Sequence, residues 1–171
     1  MTRTLVAGVG NIFLSDDAFG VEVVRRLAGR PMPDGVTVAD YGIRGIHLAY
    51  ELLEGYDRLI LIDAIARGGA PGTIYVLQPD DVPANGAVAD AHGMQPRAVL
   101  AYLASIGGGP IPTLIVGCEP ATIEENMGLS EPVEHAVDEA IAVVLGLIDD
   151  QAAAAFHYSP AITKQQGGLS T

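Results

Sequence analysis

An α/β chain, folded as a three-layer α/β/α sandwich around a mostly parallel sheet with one antiparallel strand, is the architecture this sequence predicts. Three observations predict it. Short apolar runs ending in Gly or Asp alternate with longer segments of helical periodicity. The run Leu59-Ile60-Leu61-Ile62 has no polar face, as expected of a central parallel strand covered on both sides. Of the 171 residues, 49% are hydrophobic and 18% charged, which suits one buried core and excludes a disordered chain.

The elements follow in order. Thr4–Ala7 is an apolar strand ending at Gly8. Asp17 to Arg30 reads as a helix with Val21, Val24, Leu27 and Ala28 on one face; Ser15 or Asp16 caps its start, and Pro31 and Pro33 stop it. Val36–Ala39 is a second strand ending at Asp40. A turn over Gly42-Ile43-Arg44-Gly45 leads to a helix over Ile46–Leu53, closed by Gly55. Arg58–Ile62 is the third strand and ends at Asp63. The loop Ala64–Gly69 and Pro71-Gly72 lead into a strand over Thr73–Leu77. That connection is too short for a helical crossover, so the strand is expected antiparallel to its predecessor. Asp80–Ala91 is irregular, Gln95–Ile106 a helix ended by three glycines, and Thr113–Val116 a strand. A last helix runs from Glu131 or Pro132 to Asp150, with Val133, Val137, Ala140, Ile141, Val144, Leu145 and Ile148 inward. Residues 1–150 thus form a single domain, and residues 151–171 a loosely structured tail.

Charge narrows the partners. Nine Lys+Arg against 21 Asp+Glu give a formal net charge of −12. Phosphate repulsion argues against nucleic acid and anionic lipid, leaving a basic partner, a cation or simple solubility. The one cysteine, Cys118, excludes an internal disulfide and a Cys-based zinc cluster. No stretch reaches the roughly 18 unbroken apolar residues of a membrane span. The first apolar run is too short for a signal-peptide core, so a cytoplasmic location is expected.

In an open parallel sheet the ligand sits beyond the carboxyl ends of the strands. Here those ends release Gly8–Asp17, Asp40–Gly45, Asp63–Gly69 and Gly117–Glu119. Three of them carry aspartates: Asp16 and Asp17, Asp40, and Asp63. Carboxylates gathered at one edge stay ionised cheaply only with a cation, a basic group or water between them. His92, just before a helix, adds an imidazole, and a histidine with two carboxylates suits a borderline divalent metal. Plainer roles compete: Asp16 and Asp17 as helix-start residues, His92 as a surface or capping histidine. Gly8-Val9-Gly10-Asn11 invites comparison with a dinucleotide fingerprint, but Phe13 occupies the third glycine's place and two aspartates would face the pyrophosphate. Tight-turn glycine is the simpler account. Cys118 reads as core, and none of the serines has a nucleophile-elbow context, which makes an activated water the expected nucleophile of any hydrolysis.

These residues together resemble the [NiFe]-hydrogenase maturation endopeptidases. The likeness runs through Gly8-Val9-Gly10-Asn11, Asp16-Asp17, Gly20-Val21, Asp40 with Gly42 and Gly45, and Leu61-Ile62-Asp63-Ala64. It continues at Pro71-Gly72-Thr73, His92-Gly93, Val116-Gly117-Cys118-Glu119-Pro120, Gly128-Leu129-Ser130 and Val133, in order and spacing over residues 4–148. The resemblance implies an endopeptidase that removes the C-terminal extension of a hydrogenase large-subunit precursor once nickel is in place. It implies Asp17, Asp63 and His92 as catalytic, metal-contacting residues, with Asp40 functional but not a ligand and Asp16 in a supporting or capping role. Nickel would arrive with the substrate and be absent from the isolated protein. The partner would be the precursor, with no nucleic acid and no membrane involved. Two other classes remain as alternatives: a non-catalytic chaperone gripping the nickel-loaded precursor, and a nucleotide-binding enzyme.

Overall fold

The computed structural model describes residues 2–82 and 96–149. His92, most of the Asp80–Ala91 segment and the tail at 151–171 lie outside the described residues. The described elements are β1 (Thr4–Val9), α1 (Phe19–Ala28), β2 (Val36–Gly42), α2 (Gly45–Leu52), β3 (Arg58–Ala64), β4 (Ile74–Leu77), α3 (Pro96–Ser105), β5 (Thr113–Cys118) and α4 (Glu131–Ile148). The strands form one sheet in the order β2-β1-β3-β5-β4. β1 pairs in parallel with β2 and β3, and β3 in parallel with β5. β4 is antiparallel, as its short connection requires, but its hydrogen-bonded neighbour is β5 rather than its predecessor β3.

Both faces of the sheet are covered because successive strand residues point to opposite sides. Val6, Ile60, Ile62, Leu114 and Val116 pack with α1 and α4. Leu5, Ala7, Leu59, Leu61 and Ile115 pack with α2 and α3. This is why the β3 run could afford no polar face. The result is the three-layer sandwich.

Helix α1 lies unusually close to the sheet, and Gly20 permits it. A Cβ at Gly20 would stand 2.0 Å from the Ile62 carbonyl oxygen and 2.5 Å from that of Val9. A Cβ at Gly8 would meet the Gly20 carbonyl oxygen at 2.3 Å. The helix also begins later than its periodicity predicts: Ser15–Ala18 forms a 3-10 turn, and α1 proper starts at Phe19. Val23 joins Val21, Val24 and Leu27 in the core, whereas Ala28 at the last turn is exposed. Neither Ser15 nor Asp16 caps this helix; no side chain does. In α4 the predicted inward face holds, with Ala136 and Leu147 also buried and Leu145 half-buried.

Candidate active site at the carboxyl edge of the sheet

Parallel pairing brings the ends of β2, β1, β3 and β5 to one edge. Gly8 is in register with both Asp40 of β2 and Ile62 of β3, and Asp63 with Gly117 of β5. The acids predicted at strand ends therefore share an edge. Asp63 is half-buried near the end of β3, between the strands β1 and β5. Asp17 sits in the 3-10 turn that packs against β3. Its Oδ2 accepts the Asn11 N–H at 2.8 Å. Gly10 makes that closure possible, at φ +138° and with no room for a Cβ, which would fall 1.8 Å from the Asp17 carbonyl oxygen. The Gly8-x-Gly10 pair thus serves backbone packing of the first loop, the tight-turn account of the sequence.

Asp40 stands one strand further out and is exposed. Its Oδ1 accepts the Gly42 N–H at 2.8 Å, and its carbonyl oxygen accepts Arg44 Nη2 at 2.7 Å. A register shift lets β2 skip one residue, Tyr41, so that Val9 pairs with Gly42. Asp40 thereby organises the β2–α2 turn beside the first loop, where Gly10 N–H reaches the Gly42 carbonyl at 2.9 Å.

Asp16 and Asp17, adjacent in sequence, do different work. Asp16 is fully buried. Its Oδ2 accepts Ala121 N–H (2.8 Å), Thr122 N–H (3.1 Å) and Ser130 Oγ–H (2.9 Å), and its Oδ1 accepts Ser130 N–H at 2.7 Å. Ser130 is the N-cap residue of α4, whose own side chain makes no capping bond. Asp16 therefore places an anion at the start of α4, not of α1 as the sequence suggested, and the charge suits a helix N-terminus. Such a cap, 114 residues away in the chain, has no local signature.

Glu119 is a second buried carboxylate that the sequence reading passed over as a mere strand-end residue. It is 5% exposed and accepts Arg67 N–H at 2.7 Å, Gly68 N–H at 3.0 Å and Tyr75 O–H at 3.0 Å. Those bonds fasten the loop that follows Asp63. Burial, and then the Glu119 carboxylate, push the Tyr75 phenol up to about 12. Tyr75 thus remains the donor. The available signal was an acid and a tyrosine on strands that end at the same edge, which is too common to single them out.

No nucleophile is poised among the described residues of this edge. Ser15 Oγ donates to the Glu124 carbonyl at 2.7 Å, and Ser130 Oγ to Asp16. Cys118 is fully buried, as expected, and burial, then the charges of Asp16 and Glu119, push its thiol from 9.0 up to about 12. The thiol is expected to resist iodoacetamide at pH 8 in the native protein and to react once it is unfolded, a difference that mass spectrometry reads directly. Because the folded-state value is raised, the stability this burial contributes is complete below pH 9 and is lost as pH climbs from about 9 towards 12.

Among the described residues no group of three or more His, Cys, Asp or Glu could hold a metal ion. Of the predicted trio, the structure brings Asp17 and Asp63 to neighbouring elements, and His92 lies outside the described residues. A surface cavity at the opposite edge, lined by Thr2, Asp34, Arg58 and Asp149, contains none of the predicted site residues. No described helix is long and apolar enough to cross a membrane.

Comparison with known proteins places the chain in a family. The family model for hydrogenase maturation proteases (HycI) matches residues 21–147. The hydrogenase 2 maturation protease of Escherichia coli K12 is 36% identical over 149 residues, 85% of this chain and 90% of that protein. The hydrogenase expression/formation protein HupM of Azotobacter chroococcum is 36% identical over 151 residues, 86% of this chain and 72% of that one. Among solved structures, the E. coli hydrogenase maturating endopeptidase HybD superposes with a TM-score of 0.75 at 36% identity, over 86% of this chain and 92% of its own. The HycI maturation protease of Thermococcus kodakarensis does so with a TM-score of 0.69 at 25% identity, over 86% and 92%. By sequence and by fold, the chain belongs to the hydrogenase maturation protease family.

Proposed function

We propose that this chain is the endopeptidase that removes the C-terminal extension of a [NiFe]-hydrogenase large-subunit precursor after nickel insertion, meeting the precursor's nickel with Asp17, Asp63 and His92. The observation that carries the reading is the position of Asp17 in the 3-10 turn beyond β1 and of Asp63 at the end of the adjacent parallel strand β3, in a member of this protease family. Two carboxylates and a neutral imidazole form a mixed oxygen–nitrogen set suited to a borderline divalent ion, with positions left for ligands from the substrate. Nickel is cargo here: it enters with the precursor and leaves with the product.

The residues then have separable tasks. Asn11 N–H holds one Asp17 oxygen and so fixes the carboxylate's direction. Glu119 holds the loop beyond Asp63. With the hydroxyls of Ser15 and Ser130 engaged and the Cys118 thiol neutral, the attacking group is water. Its oxygen bonds to the scissile carbonyl carbon, the C–N bond breaks, and a proton passes to the leaving amine.

Incubating purified chain with large-subunit precursor, with and without nickel, tests the reading. The precursor is expected to shorten on a gel only when nickel-loaded. Equal cleavage of nickel-free precursor would remove the metal from recognition, and a stable uncut complex would make the chain a chaperone.

A further inference from the structure

The edge that carries Asp17 and Asp63 also holds apolar side chains in water. Ile12 is 41% exposed, Phe13 58%, Ile43 46% and Met127 66%. Isolated exposed apolar residues are ordinary; a set of them on neighbouring strand-end loops around one group of acids marks an interaction site. They come from the loops after β1, β2 and β5, and backbone bonds tie these loops together. Asn126 N–H donates to the Phe13 carbonyl at 3.0 Å, and Ser15 N–H to the Asn126 carbonyl at 2.8 Å. Gly10 N–H donates to the Gly42 carbonyl at 2.9 Å. Met127 therefore stands one residue from the partner of Phe13, and Ile43 one residue from the partner of Gly10.

The first loop is also held in an unfavourable conformation. Ser15, at φ +50°, is the one non-glycine residue with positive φ among those described. Such a backbone costs on the order of 1–3 kcal/mol and persists only where its surroundings fix it. Here the Ser15 hydroxyl, its N–H and the Asp16 carboxylate all anchor it to residues 121–130. A loop fixed this firmly, yet leaving Ile12 and Phe13 in solvent, is organised for contact with another molecule rather than for the chain's own core.

The charge beside it says what kind of molecule. Glu124 and Glu125 are exposed next to Met127, and neither forms an ion pair among the described residues. The chain as a whole carries −12. On the other side, beside Ile43, the exposed Arg44 bonds only backbone carbonyls among the described residues, so the complementary surface is apolar at its centre and basic where it meets Glu124 and Glu125. We propose that Ile12, Phe13, Ile43 and Met127, rimmed by Glu124 and Glu125, are the docking surface for the large-subunit precursor, and that they take an apolar segment of it bordered by Lys or Arg. This rests on the reading of the chain as a processing endopeptidase and adds the chemistry of what it grips.

Steady-state cleavage of nickel-loaded precursor tests it in four proteins: wild type, Phe13→Ser/Met127→Ser, Phe13→Leu and Glu124→Lys/Glu125→Lys. The double Ser variant is expected to raise KM about tenfold or more while kcat falls less than about threefold, the split that lost docking produces. Phe13→Leu, which keeps an apolar side chain, stays near wild type. The charge-reversed variant loses affinity at low salt, and the loss fades as salt rises. All the substituted side chains are exposed, so the melting temperature serves as the control for folding. A double Ser KM within about twofold of wild type overturns the proposal. If wild type fails to cut the precursor at all, the endopeptidase reading falls on its own, and binding to immobilised precursor decides docking. Weaker binding by the double Ser variant upholds the surface, and equal binding overturns it.

Discussion

Asp63→Asn is expected to stop precursor processing while leaving the fold intact. The substitution keeps the volume of the side chain and removes its charge at the end of β3, where the residue is half-buried and outside both core clusters. If Asp63 meets the precursor's nickel as proposed, the neutral amide is a far weaker ligand for the divalent ion than the carboxylate it replaces. Residues that merely stand behind metal ligands change affinity or activity by about 10–100-fold, so loss of a ligand is expected to cost more than about a hundredfold in cleavage rate. Asp17→Asn and His92→Gln should match it. In Asp17→Asn the amide oxygen can still accept the Asn11 N–H, so the loop stays closed and only the charge is tested. Asp40→Asn is the internal comparison: its amide oxygen can keep the Gly42 N–H bond, and its place across β1 from Asp63 predicts a smaller loss. The measurement is the shortening of nickel-loaded precursor on a gel, beside a thermal melt of each variant. Normal processing by all three variants would remove the site assignment.

The gathering of aspartates at one edge of the sheet was legible because it follows from few physical rules. Apolar runs ending in Asp or Gly marked the strands. The two-faced burial of Leu59–Ile62 marked the sheet's centre, and parallel pairing then sends Asp17, Asp40 and Asp63 to one edge. What sequence could not supply was partnership at long range. β4 was recognisable as antiparallel from its short connection, but which strand it bonds depends on the crossover through α3 that places β5 between it and β3. Asp16 and Asp17 looked alike in sequence. They diverge because the 3-10 turn sends one carboxylate inward to residues 121–130 and the other to Asn11. Glu119 was unremarkable until the fold closed a loop around it. Local pattern identifies elements and their ends; the bonds that hold Asp16 and Glu119 in place join residues far apart, 44 positions for Tyr75 with Glu119 and 114 for Ser130 with Asp16.

Asp16→Ala should therefore be the most destabilising substitution of a charged residue at this edge, because both oxygens of the Asp16 carboxylate are engaged by the protein's own donors. It strands three backbone N–H groups, of Ala121, Thr122 and Ser130, together with the Ser130 hydroxyl. Each buried donor left unpaired costs about 1–3 kcal/mol, and more when its acceptor was charged. Ala121 is exposed and Thr122 and Ser130 half-buried, so water can repair part of the damage. A net loss of about 3–5 kcal/mol is expected, a fall in melting temperature on the order of 10 °C for a chain of this size. Asp16→Asn separates charge from geometry. With its oxygen in the Oδ2 position the amide still accepts from Ala121, Thr122 and the Ser130 hydroxyl, but its NH2 then faces the Ser130 N–H that Oδ1 had accepted. One donor opposed by another predicts a loss of about 1–3 kcal/mol, smaller than for Ala. Urea unfolding of the two variants beside Asp17→Asn reads the contrast. Asp16 variants should lose stability in the order Ala then Asn, and Asp17→Asn should lose processing with little change in its urea midpoint. An Asp16→Ala protein within about 1 kcal/mol of wild type would mean that residues 121–130 hold their shape without the carboxylate. The two neighbouring aspartates would then no longer divide the work of building the edge and meeting the substrate.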